Sequence, residues 1–332
     1  MKFCLLTSFV RQSGIANYSK SLVSHLNCDL FAWDFFGKLS ITFSPIKNFF
    51  KLRKLGGEKD VVHVQYHLGE QGPLFLPLLW FVPGRWVVTL HEDHKNFPMS
   101  RFWVWWHNLW LRRVNKIIVH TEVHKNVLSQ PLQKKTVVVP FGVNVRQVSE
   151  IKDVNKHCVL IPGFINRWKG IDLAIEAMPL VLEKFPDATL HVVGKAWDER
   201  YCKELENKIC ELHLEKSVFL VSEFITPEQY DAFMSECAVV VLPYWRITMS
   251  NVLAESVSYC KEIILSNIPP FKEYSKNKLH LFEHGDYRDL ARKILEVFSG
   301  STCKVLELAE EYAWPKVAKK HLEVYNSVVA KL

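Results

Sequence analysis

Residues 159–177, VLIPGFINRWKGIDLAIEA, pass from an apolar run into a segment with helical spacing through a short loop that contains a glycine. The apolar run shows no in–out alternation, which is typical of a strand covered on both faces in a parallel sheet. The segment after the loop places apolar side chains three and four residues apart, as one face of a helix requires. The stretch therefore predicts a strand, a turn at Gly163 and a helix that begins near Asp172.

The same alternation recurs along the rest of the chain. It predicts an α/β fold with two Rossmann-like, doubly wound parallel-sheet domains that face a cleft, and in such domains ligands bind at the carboxyl ends of the strands. The predicted strands are Phe3–Phe9, Asp29–Trp33, Val61–Tyr66, Trp86–His91, Lys116–His120, Thr136–Pro140, Cys158–Ile161, Thr189–Val193, Val218–Val221, Ala238–Leu242 and Glu262–Leu265.

A polar segment without strong periodicity, Asn144–His157, separates the two series of strands and is the predicted linker. We therefore expect a first domain over residues 1–148 and a second domain over residues 149–310. A closing helical segment is expected over residues 311–332, with Trp314 and Pro315 at the start of the last helix.

Composition excludes several classes of protein. Of 332 residues, 48% are hydrophobic and 23% are charged, which excludes a mainly disordered chain, a collagen-like fibre and a small disulfide scaffold. The net charge of +7 is too small to indicate nucleic-acid binding by itself. The eight cysteines include no C-x-x-C pair, and several lie in apolar runs, so we expect free thiols and a cytoplasmic location.

Two apolar stretches resemble targeting or membrane segments. The start, MKFCLLTSFV, has a short apolar run with no small-residue cleavage site after it, so it is expected to form a buried first strand. The longest uncharged run, Gln71–Gly84, has fourteen residues and three prolines. A spanning helix needs about 20 apolar residues, so we expect no membrane crossing, although the chain could lie on a membrane surface.

Two strand-to-helix turns that contain glycine are candidate anion sites. Gly14 follows the first strand, and Gly163 precedes Arg167 and Lys169. A glycine lets backbone approach a ligand, a helix N-terminus favours an anion, and two cations can neutralise a departing diphosphate. On these residues alone, the alternatives are a plain tight turn in the first case and a solvated basic loop in the second.

Three further polar residues follow apolar runs. Ser250 is a good N-cap, and Glu255 lies about one and a half turns into the next helix, where a carboxylate could accept hydrogen bonds from sugar hydroxyls. His91 ends the fourth predicted strand, where it could contact a ligand or act as a base. The alternatives are an exposed helix glutamate and a polar strand end. Neither H-E-x-x-H nor Asp-x-Asp occurs, so no metal site is expected.

The order of these pieces resembles the retaining, nucleotide-sugar-dependent glycosyltransferases of family 4, which have the GT-B fold. The resemblance covers nearly the whole chain. The matching segments are the glycine loop at Gly14, the TLH stretch that ends at His91, VVVPFGVNV at 137–145, GFINRWKGIDLAIEA at 163–177, LHVVG at 190–194, NVLAESVSYCKEIILSNIPPFKE at 251–273 and WPKVAKKHLEVY at 314–325.

The resemblance assigns roles to particular residues of this chain. It implies that Gly14 and Ile15 lie near the donor diphosphate, that Lys169 binds its phosphates, and that Glu255 holds the nucleotide ribose. It also implies that His91 lies beside the transferred sugar. The other implied donor-binding residues are Gly163, Phe224, Ile225, Ser250, Asn251 and Val252, with the backbone at Phe224 and Ile225 bordering the base.

Two positions depart from that family's pattern. The first glutamate of its Glu-x7-Glu motif would stand eight residues before Glu255, where this chain has Ile247. The family's loop arginine would lie at Phe164 or Asn166, whereas this chain has Arg167. Because the missing glutamate normally contacts the donor sugar, the resemblance leaves the donor's identity open.

The resemblance implies an enzyme that transfers a hexose from a nucleoside diphosphate sugar to an acceptor hydroxyl with retention. Arg167 and Lys169 would stabilise the leaving diphosphate, and neither a cofactor nor a metal ion is expected. Residues 1–148 would form the acceptor side and residues 149–310 would bind the nucleotide sugar, with the last helix crossing back to the first domain. The acceptor would be a glycan or a lipid-linked molecule, and no nucleic-acid partner is expected. The alternatives are a non-catalytic sugar- or nucleotide-binding protein and a sugar-nucleotide epimerase.

One segment favours a membrane surface as a further partner. Residues 98–113, PMSRFWVWWHNLWLRR, carry four tryptophans with arginines at both ends, and residues 46–54, IKNFFKLRK, are also basic and aromatic. Basic helices rich in tryptophan are typical of lipid interfaces, so we expect peripheral contact with an anionic membrane. A core helix whose aromatic side chains pack against a neighbour is the alternative.

Overall fold

The computed structural model describes residues 2–7, 14–26, 28–32, 50, 53–67, 79–92, 101–145 and 155–330. The chain divides into two compact units. The first unit comprises residues 1–142 together with 314–332, and the second comprises residues 143–313. The boundaries between the units therefore lie after residue 142 and after residue 313, whereas the sequence predicted domain ends at residues 148 and 310.

The first unit contains a parallel six-stranded sheet in the order β2-β1-β3-β4-β5-β6. Every residue of β3 and β4 is buried, which explains why their sequences show no alternation of polar and apolar residues. The winding direction reverses between β1 and β3, the position at which doubly wound sheets bind ligands. The strands are β1 Phe3–Thr7, β2 Asp29–Ala32, β3 Val61–Tyr66, β4 Trp86–Leu90, β5 Lys116–Val119 and β6 Thr136–Val138.

Helices accompany this sheet, and the last of them comes from the far end of the chain. The helix Trp314–Val329 packs against the helix Gly14–Leu26 and against β3. Two buried hydrogen bonds fix it there: Tyr18 Oη donates to His321 Nε2 at 3.0 Å, and His63 Nδ1 lies 2.6 Å from Tyr325 Oη. The other described helices of this unit are Arg101–Leu111, Glu122–Val127, Gln130–Gln133 and the 3₁₀ turn Leu79–Phe81, and residues 53–58 are also helical.

The second unit repeats the architecture with a parallel sheet in the order β12-β11-β10-β7-β8-β9. Here the winding direction reverses between β7 and β10, so the loops after these two strands diverge and leave a crevice at their carboxyl ends. The strands are β7 Asn155–Pro162, β8 Thr189–Val193, β9 Val218–Val221, β10 Cys237–Leu242, β11 Glu262–Ser266 and β12 His280–Phe282. The helices are Ile171–Leu182, Glu199–Glu211, Pro227–Glu236, Asn251–Ser258, Pro269–Ser275, Tyr287–Phe298 and Val305–Glu311, with a 3₁₀ turn at Arg167–Lys169.

The predicted fold class, two α/β domains with parallel sheets, is confirmed, and all eleven predicted strands are present where the chain is described. Two details differ. The predicted linker Asn144–His157 is wrong at its end, because β7 begins at Asn155 with polar residues that extend beyond the core. The strand β12 was not predicted, because it has only three residues and two of them are half-buried. No helix in the described part of the chain is both long and apolar enough to cross a membrane.

Candidate functional site

The turn after β7 is built around two glycines with positive φ. At Gly163 (φ +92°), a Cβ atom would lie 2.8 Å from Lys169 Nζ and 3.2 Å from Val252 Cγ2. At Gly170 (φ +62°), a Cβ atom would lie 2.1 Å from the carbonyl oxygen of Pro243. Glycine adopts this left-handed conformation readily, and its lack of a side chain permits both close approaches. The two glycines therefore bring Lys169 and the loop after β10 against the end of β7.

Lys169 is a buried lysine at the centre of this turn. Its side chain is 6% exposed, and Nζ donates to the carbonyl oxygen of Pro162 at 3.0 Å and lies 5.5 Å from the ring centre of Tyr244. Burial lowers the pKa of Lys169 to about 7, although the carboxylate of Glu255 acts in the opposite direction. An ammonium group has three N–H donors, so Lys169 can also donate to a phosphate in the crevice.

Binding of a diphosphate at Lys169 is expected to be accompanied by uptake of a proton. At pH 8, one unit above a pKa of about 7, roughly nine-tenths of the Lys169 side chains are neutral in the empty site. A bound anion favours the charged form and raises this pKa, so ~0.9 proton per nucleoside diphosphate should be taken up. The measurement is calorimetry at pH 8 in buffers of different ionisation enthalpy.

The exposed lysine variant Lys184→Ala serves as the control and should show the same uptake. If the wild-type protein binds the nucleotide at pH 8 without proton uptake, the predicted contact between Lys169 and the diphosphate is wrong.

The helix Asn251–Ser258 begins beside this lysine. Its N-cap is Ser250, which is 4% exposed and whose Oγ accepts the N–H of Leu253 at 3.2 Å. The N–H groups at the start of any helix lack partners within the helix and carry partial positive charge, which favours an anion. Val252, in this first turn, is also the neighbour of Gly163, so the helix N-terminus and Lys169 lie on the same crevice.

Glu255 is half-buried and held from two sides. Tyr230 Oη donates to Oε2 at 2.8 Å, and Asn251 Nδ2 donates to Oε1 at 2.7 Å. The alternative of an exposed helix glutamate is therefore wrong. A carboxylate oxygen can accept more than one hydrogen bond, so Glu255 is a suitable acceptor for ligand hydroxyls while Tyr230 and Asn251 hold it in place.

Arg167 lies in the same turn but is engaged with other residues. It forms an ion pair with Glu204, its Nε lies 3.8 Å from Asp198 Oδ2, and its guanidinium lies 5.0 Å from the ring centre of Tyr201. The hydrogen bond to Glu204 raises the pKa of Arg167. The guanidinium would have to leave these carboxylates to reach a diphosphate, and that contact stays a prediction.

Three more residues follow the carboxyl ends of strands in this sheet. Phe224 and Ile225 follow β9, where Phe224 is 58% exposed and Ile225 is half-buried, and their contact with a base stays a prediction. Sequence reasoning gave no role to Asn166, which is 4% exposed and whose side-chain amide has no hydrogen-bond partner among the described residues. A buried amide beside the turn can bind a polar ligand group, but only the fold shows that it is buried.

In the first unit, His91 follows β4 and is surrounded by polar side chains of neighbouring strands. Its Nε2 lies 2.8 Å from the side-chain amide of Gln65, and its Nδ1 lies 3.4 Å from His120 Nε2. Burial and the nearby His120 lower the pKa of His91 well below its usual range, so the ring is neutral. His120 Nδ1 donates to the Val139 carbonyl at 3.0 Å, whereas the neutral His91 ring donates from Nε2 to Oε1 of Gln65, so its Nδ1 carries no proton and lies beside His120 Nε2. Both ring nitrogens thus lie beside protein side chains, and contact of His91 with a sugar stays a prediction.

Two other features lie near the carboxyl ends of this sheet. His67 Nε2 and Glu92 Oε1 are 2.7 Å apart, a pair that could not be predicted from the sequence because it depends on β3 and β4 being neighbours.

Gly14 begins the helix Gly14–Leu26 and Ile15 is buried in it, while residues 8–13 of the predicted glycine loop lie outside the described residues. The roles of Gly14 and Ile15 at a diphosphate stay predictions.

Comparison with known proteins adds a family match to this geometry. The family described as "Glycosyl transferases group 1" matches residues 145–313, about half of the chain. Spore coat protein SA of Bacillus subtilis is 24% identical over 193 residues, which cover 54% of this chain and 51% of that protein. The chain thus spans about half the length of this relative. Phosphatidyl-myo-inositol mannosyltransferase of Mycobacterium leprae is 21% identical over 290 residues, or 82% of this chain and 74% of that protein.

Solved structures show the same fold over nearly the whole chain. The structure of Anabaena Alr3699/HepE in complex with UDP superposes with a TM-score of 0.78 at 16% identity, covering 98% of this chain and 100% of that one. The same Anabaena protein has also been solved in complex with UDP-glucose. At this level of identity the comparison shows the fold alone.

Proposed function

The chain belongs to the glycosyl transferases group 1 family, and from this premise we propose that it transfers a sugar from a nucleoside diphosphate sugar to an acceptor hydroxyl with retention of configuration. The observation that carries the proposal is the buried Lys169, held against Gly163 and beside the N-terminus of the helix Asn251–Ser258. A cation and a helix N-terminus on one crevice suit a diphosphate.

The proposed mechanism uses positive charge at the leaving group. As the bond between sugar and diphosphate breaks, negative charge grows on the diphosphate, and Lys169 stabilises it together with the first N–H groups of the helix after Ser250. The leaving phosphate itself accepts the proton of the incoming hydroxyl, so no protein nucleophile is required. Glu255 holds the nucleotide ribose. The reaction is proposed to proceed without a metal ion, because the fixed positive groups take over the neutralising role.

The proposal also names a cellular compartment and a donor sugar nucleotide. None of the eight cysteines, all of which lie in the described part of the chain, forms a disulfide bond, which supports a reducing compartment such as the cytoplasm. The UDP and UDP-glucose complexes of the structurally similar Anabaena protein support a uridine diphosphate hexose as the first donor to test. Ile247 is half-buried in the loop after β10 and its side chain offers no hydrogen bond to a sugar hydroxyl, so the hexose itself is left to experiment.

The test is a panel of nucleoside diphosphate sugars, in which binding, slow hydrolysis and transfer to added acceptors are measured on the full chain. Release of nucleoside diphosphate that accelerates with an acceptor, and an anomeric configuration retained in the product, are the expected results. Binding without any release of diphosphate would instead indicate a non-catalytic binding protein. A changed sugar still linked to its nucleotide would indicate an epimerase.

For the acceptor, we propose a lipid-linked molecule reached at an anionic membrane surface. The helix Arg101–Leu111 and the 3₁₀ turn Leu79–Phe81 form an aromatic patch. In this patch Trp80 and Trp110 are in edge contact at 5.3 Å, and Trp106 and Trp110 at 5.2 Å. The strongly exposed members are Trp80 at 46%, Phe81 at 66%, Phe102 at 56% and Trp105 at 57%.

These exposures favour a membrane interface over the alternative of a core helix whose aromatic side chains pack against a neighbour. Arg112, which is exposed, and Arg113 follow the helix directly, and of the predicted basic segment 46–54 only Phe50, Arg53 and Lys54 lie within the described residues. Aromatic rings beside arginines match the chemistry of an interface with anionic lipid.

Vesicles that contain anionic lipid are expected to sediment the protein at low salt. Each basic residue near such a surface contributes ~1 kcal/mol, and the rings add burial that salt does not screen, so high salt should weaken the binding without abolishing it. The double variant Trp80→Ser/Trp105→Ser should release the protein. Trp197→Ser in the second unit, where the side chain is 68% exposed, is the matched control and should still sediment. A wild-type protein that stays in the supernatant at low salt would contradict the proposal.

A further inference from the structure

Three side chains of metal-binding type meet at the amino edge of the second sheet, opposite the edge that carries Lys169. Glu262 is the first residue of β11, His280 is the first residue of β12, and Cys303 lies shortly before the helix Val305–Glu311. A carboxylate oxygen, an imidazole nitrogen and a thiol sulfur from these residues all lie within 4.8 Å of one another.

Hydrogen bonds already hold the three side chains together. Glu262 Oε2 accepts from His280 Nε2 at 3.1 Å and from the backbone N–H of Cys303 at 2.8 Å. Burial and the nearby carboxylate raise the pKa of Cys303 to about 12, and the thiol donates to Glu262. One carboxylate therefore gathers several donors, which fixes the direction of each group before any ligand arrives.

These distances suit a small tetrahedral ion. Zinc binds oxygen, nitrogen and sulfur at about 2.0–2.3 Å, so its ligand atoms lie roughly 3.3–3.7 Å apart. The separations seen here, from 3.1 Å up to 4.8 Å, need only a small contraction to reach that geometry. A thiol and an imidazole exclude magnesium and calcium as preferred ions, because those ions prefer oxygen ligands.

We propose that Glu262, His280 and Cys303 bind one zinc ion, with water in the fourth position. The side chains of Glu262 and His280 are 22% and 11% exposed, which leaves access for the ion and the water. On binding, the thiol proton of Cys303 is released to solvent, the neutral imidazole binds through Nε2 with its proton on Nδ1, and the sulfur and Glu262 neutralise the ion. The backbone N–H of Cys303 continues to orient the carboxylate.

This site is separate from the proposed sugar transfer. No step of that reaction uses the ion, and the spacing of the three ligands, at positions 262, 280 and 303, follows no short metal-binding motif, which is why the sequence analysis expected no metal. Because the ion would link β11, β12 and the segment before the helix Val305–Glu311, its effect is to stabilise the second unit. Ligands that bind only the folded state raise its stability by mass action.

The experiment titrates the reduced, chelator-treated full chain with Co²⁺ and then with Zn²⁺. One cobalt per chain is expected, with the absorption of a sulfur-to-cobalt bond and the visible bands of a four-coordinate ion, and an equivalent of zinc should remove both. Zinc should also raise the melting temperature. None of these readouts depends on sugar transfer.

Three variants test which side chains bind the metal ion. Cys303→Ser, which keeps an O–H donor to Glu262, should lose the sulfur-to-cobalt band, and His280→Gln should weaken cobalt binding by at least ~100-fold, since losing even an outer partner of a metal site costs ~10–100-fold. Cys210→Ser, which removes an exposed thiol elsewhere, should bind as the wild type does. An absent band, or a band that survives in folded Cys303→Ser, would overturn the site and leave a hydrogen-bonded cluster only.

Discussion

Replacing Lys169 with alanine is expected to lower turnover by at least ~10²–10³-fold, because one preorganised donor at a developing charge in a dry site typically supplies that much. The structure makes Lys169 the strongest candidate for this effect, since the residue is 6% exposed and its Nζ lies against Gly163. The measurement is kcat for transfer at saturating donor, together with the melting temperature of each variant.

Two further variants sharpen this experiment. The exposed Lys184→Ala should leave turnover unchanged, which controls for the loss of a positive charge. Arg167→Ala tests whether the guanidinium leaves Glu204 and Asp198 during the reaction. If Arg167→Ala loses about as much turnover as Lys169→Ala, both side chains stabilise the leaving group. If Arg167→Ala has near-normal turnover, Lys169 alone stabilises the leaving group. Near-normal turnover in folded Lys169→Ala would refute the proposed mechanism.

The second large effect is expected for Glu255→Gln, which should weaken binding of the free nucleoside diphosphate by roughly tenfold to a hundredfold. Hydrogen bonds to a charged group contribute ~1.5–3 kcal/mol, and the neutral amide loses most of that gain. Calorimetry with the nucleotide alone isolates this effect from sugar and acceptor.

Tyr230→Phe offers a second measurement on the same carboxylate. It removes the donor that lies 2.8 Å from Glu255 Oε2, so it should weaken nucleotide binding in the same direction but less. The exposed Glu211→Gln is the matched control and should bind normally. Unchanged affinity in Glu255→Gln would exclude the ribose role and leave Glu255 as a residue that orders the helix.

Much of this arrangement could be predicted from sequence, because buried parallel strands leave a pattern that hydropathy detects. The run at 158–161 and the glycine at 163 together predict a strand and a turn, and the structure places both within β7 and its loop. The N-cap at Ser250 follows from residue type and position, and its hydrogen bond to Leu253 is present.

The side-chain partners of the site residues could not be predicted in the same way. They depend on which strands and helices become neighbours in the fold, and local sequence patterns do not specify this. Arg167 meets Glu204 because the turn after β7 lies against the helix Glu199–Glu211, a contact between residues 37 positions apart. His91 is held by Gln65 and His120 because β3 and β5 flank β4 in the sheet. A basic loop and a strand-end histidine were visible in sequence, but their partners were not.

The first unit can complete its fold only after the last helix of the chain has been synthesised, whereas the second unit does not depend on that helix. Synthesis proceeds from the N-terminus, so the sheet of residues 1–142 is complete long before Trp314–Val329 leaves the ribosome. At about 5–20 residues per second, translation of residues 143–313 takes roughly 10–30 s. During that time Tyr18 and His63 lack their hydrogen-bond partners His321 and Tyr325.

The second unit, by contrast, is continuous in sequence and can close as soon as it is made. The nascent chain is therefore expected to fold its later domain first and its earlier domain last. A stop codon that removes residues 314–332 would therefore destabilise the N-terminal domain, because it removes the hydrogen-bond partners of Tyr18 and His63 together with the helix that packs over them.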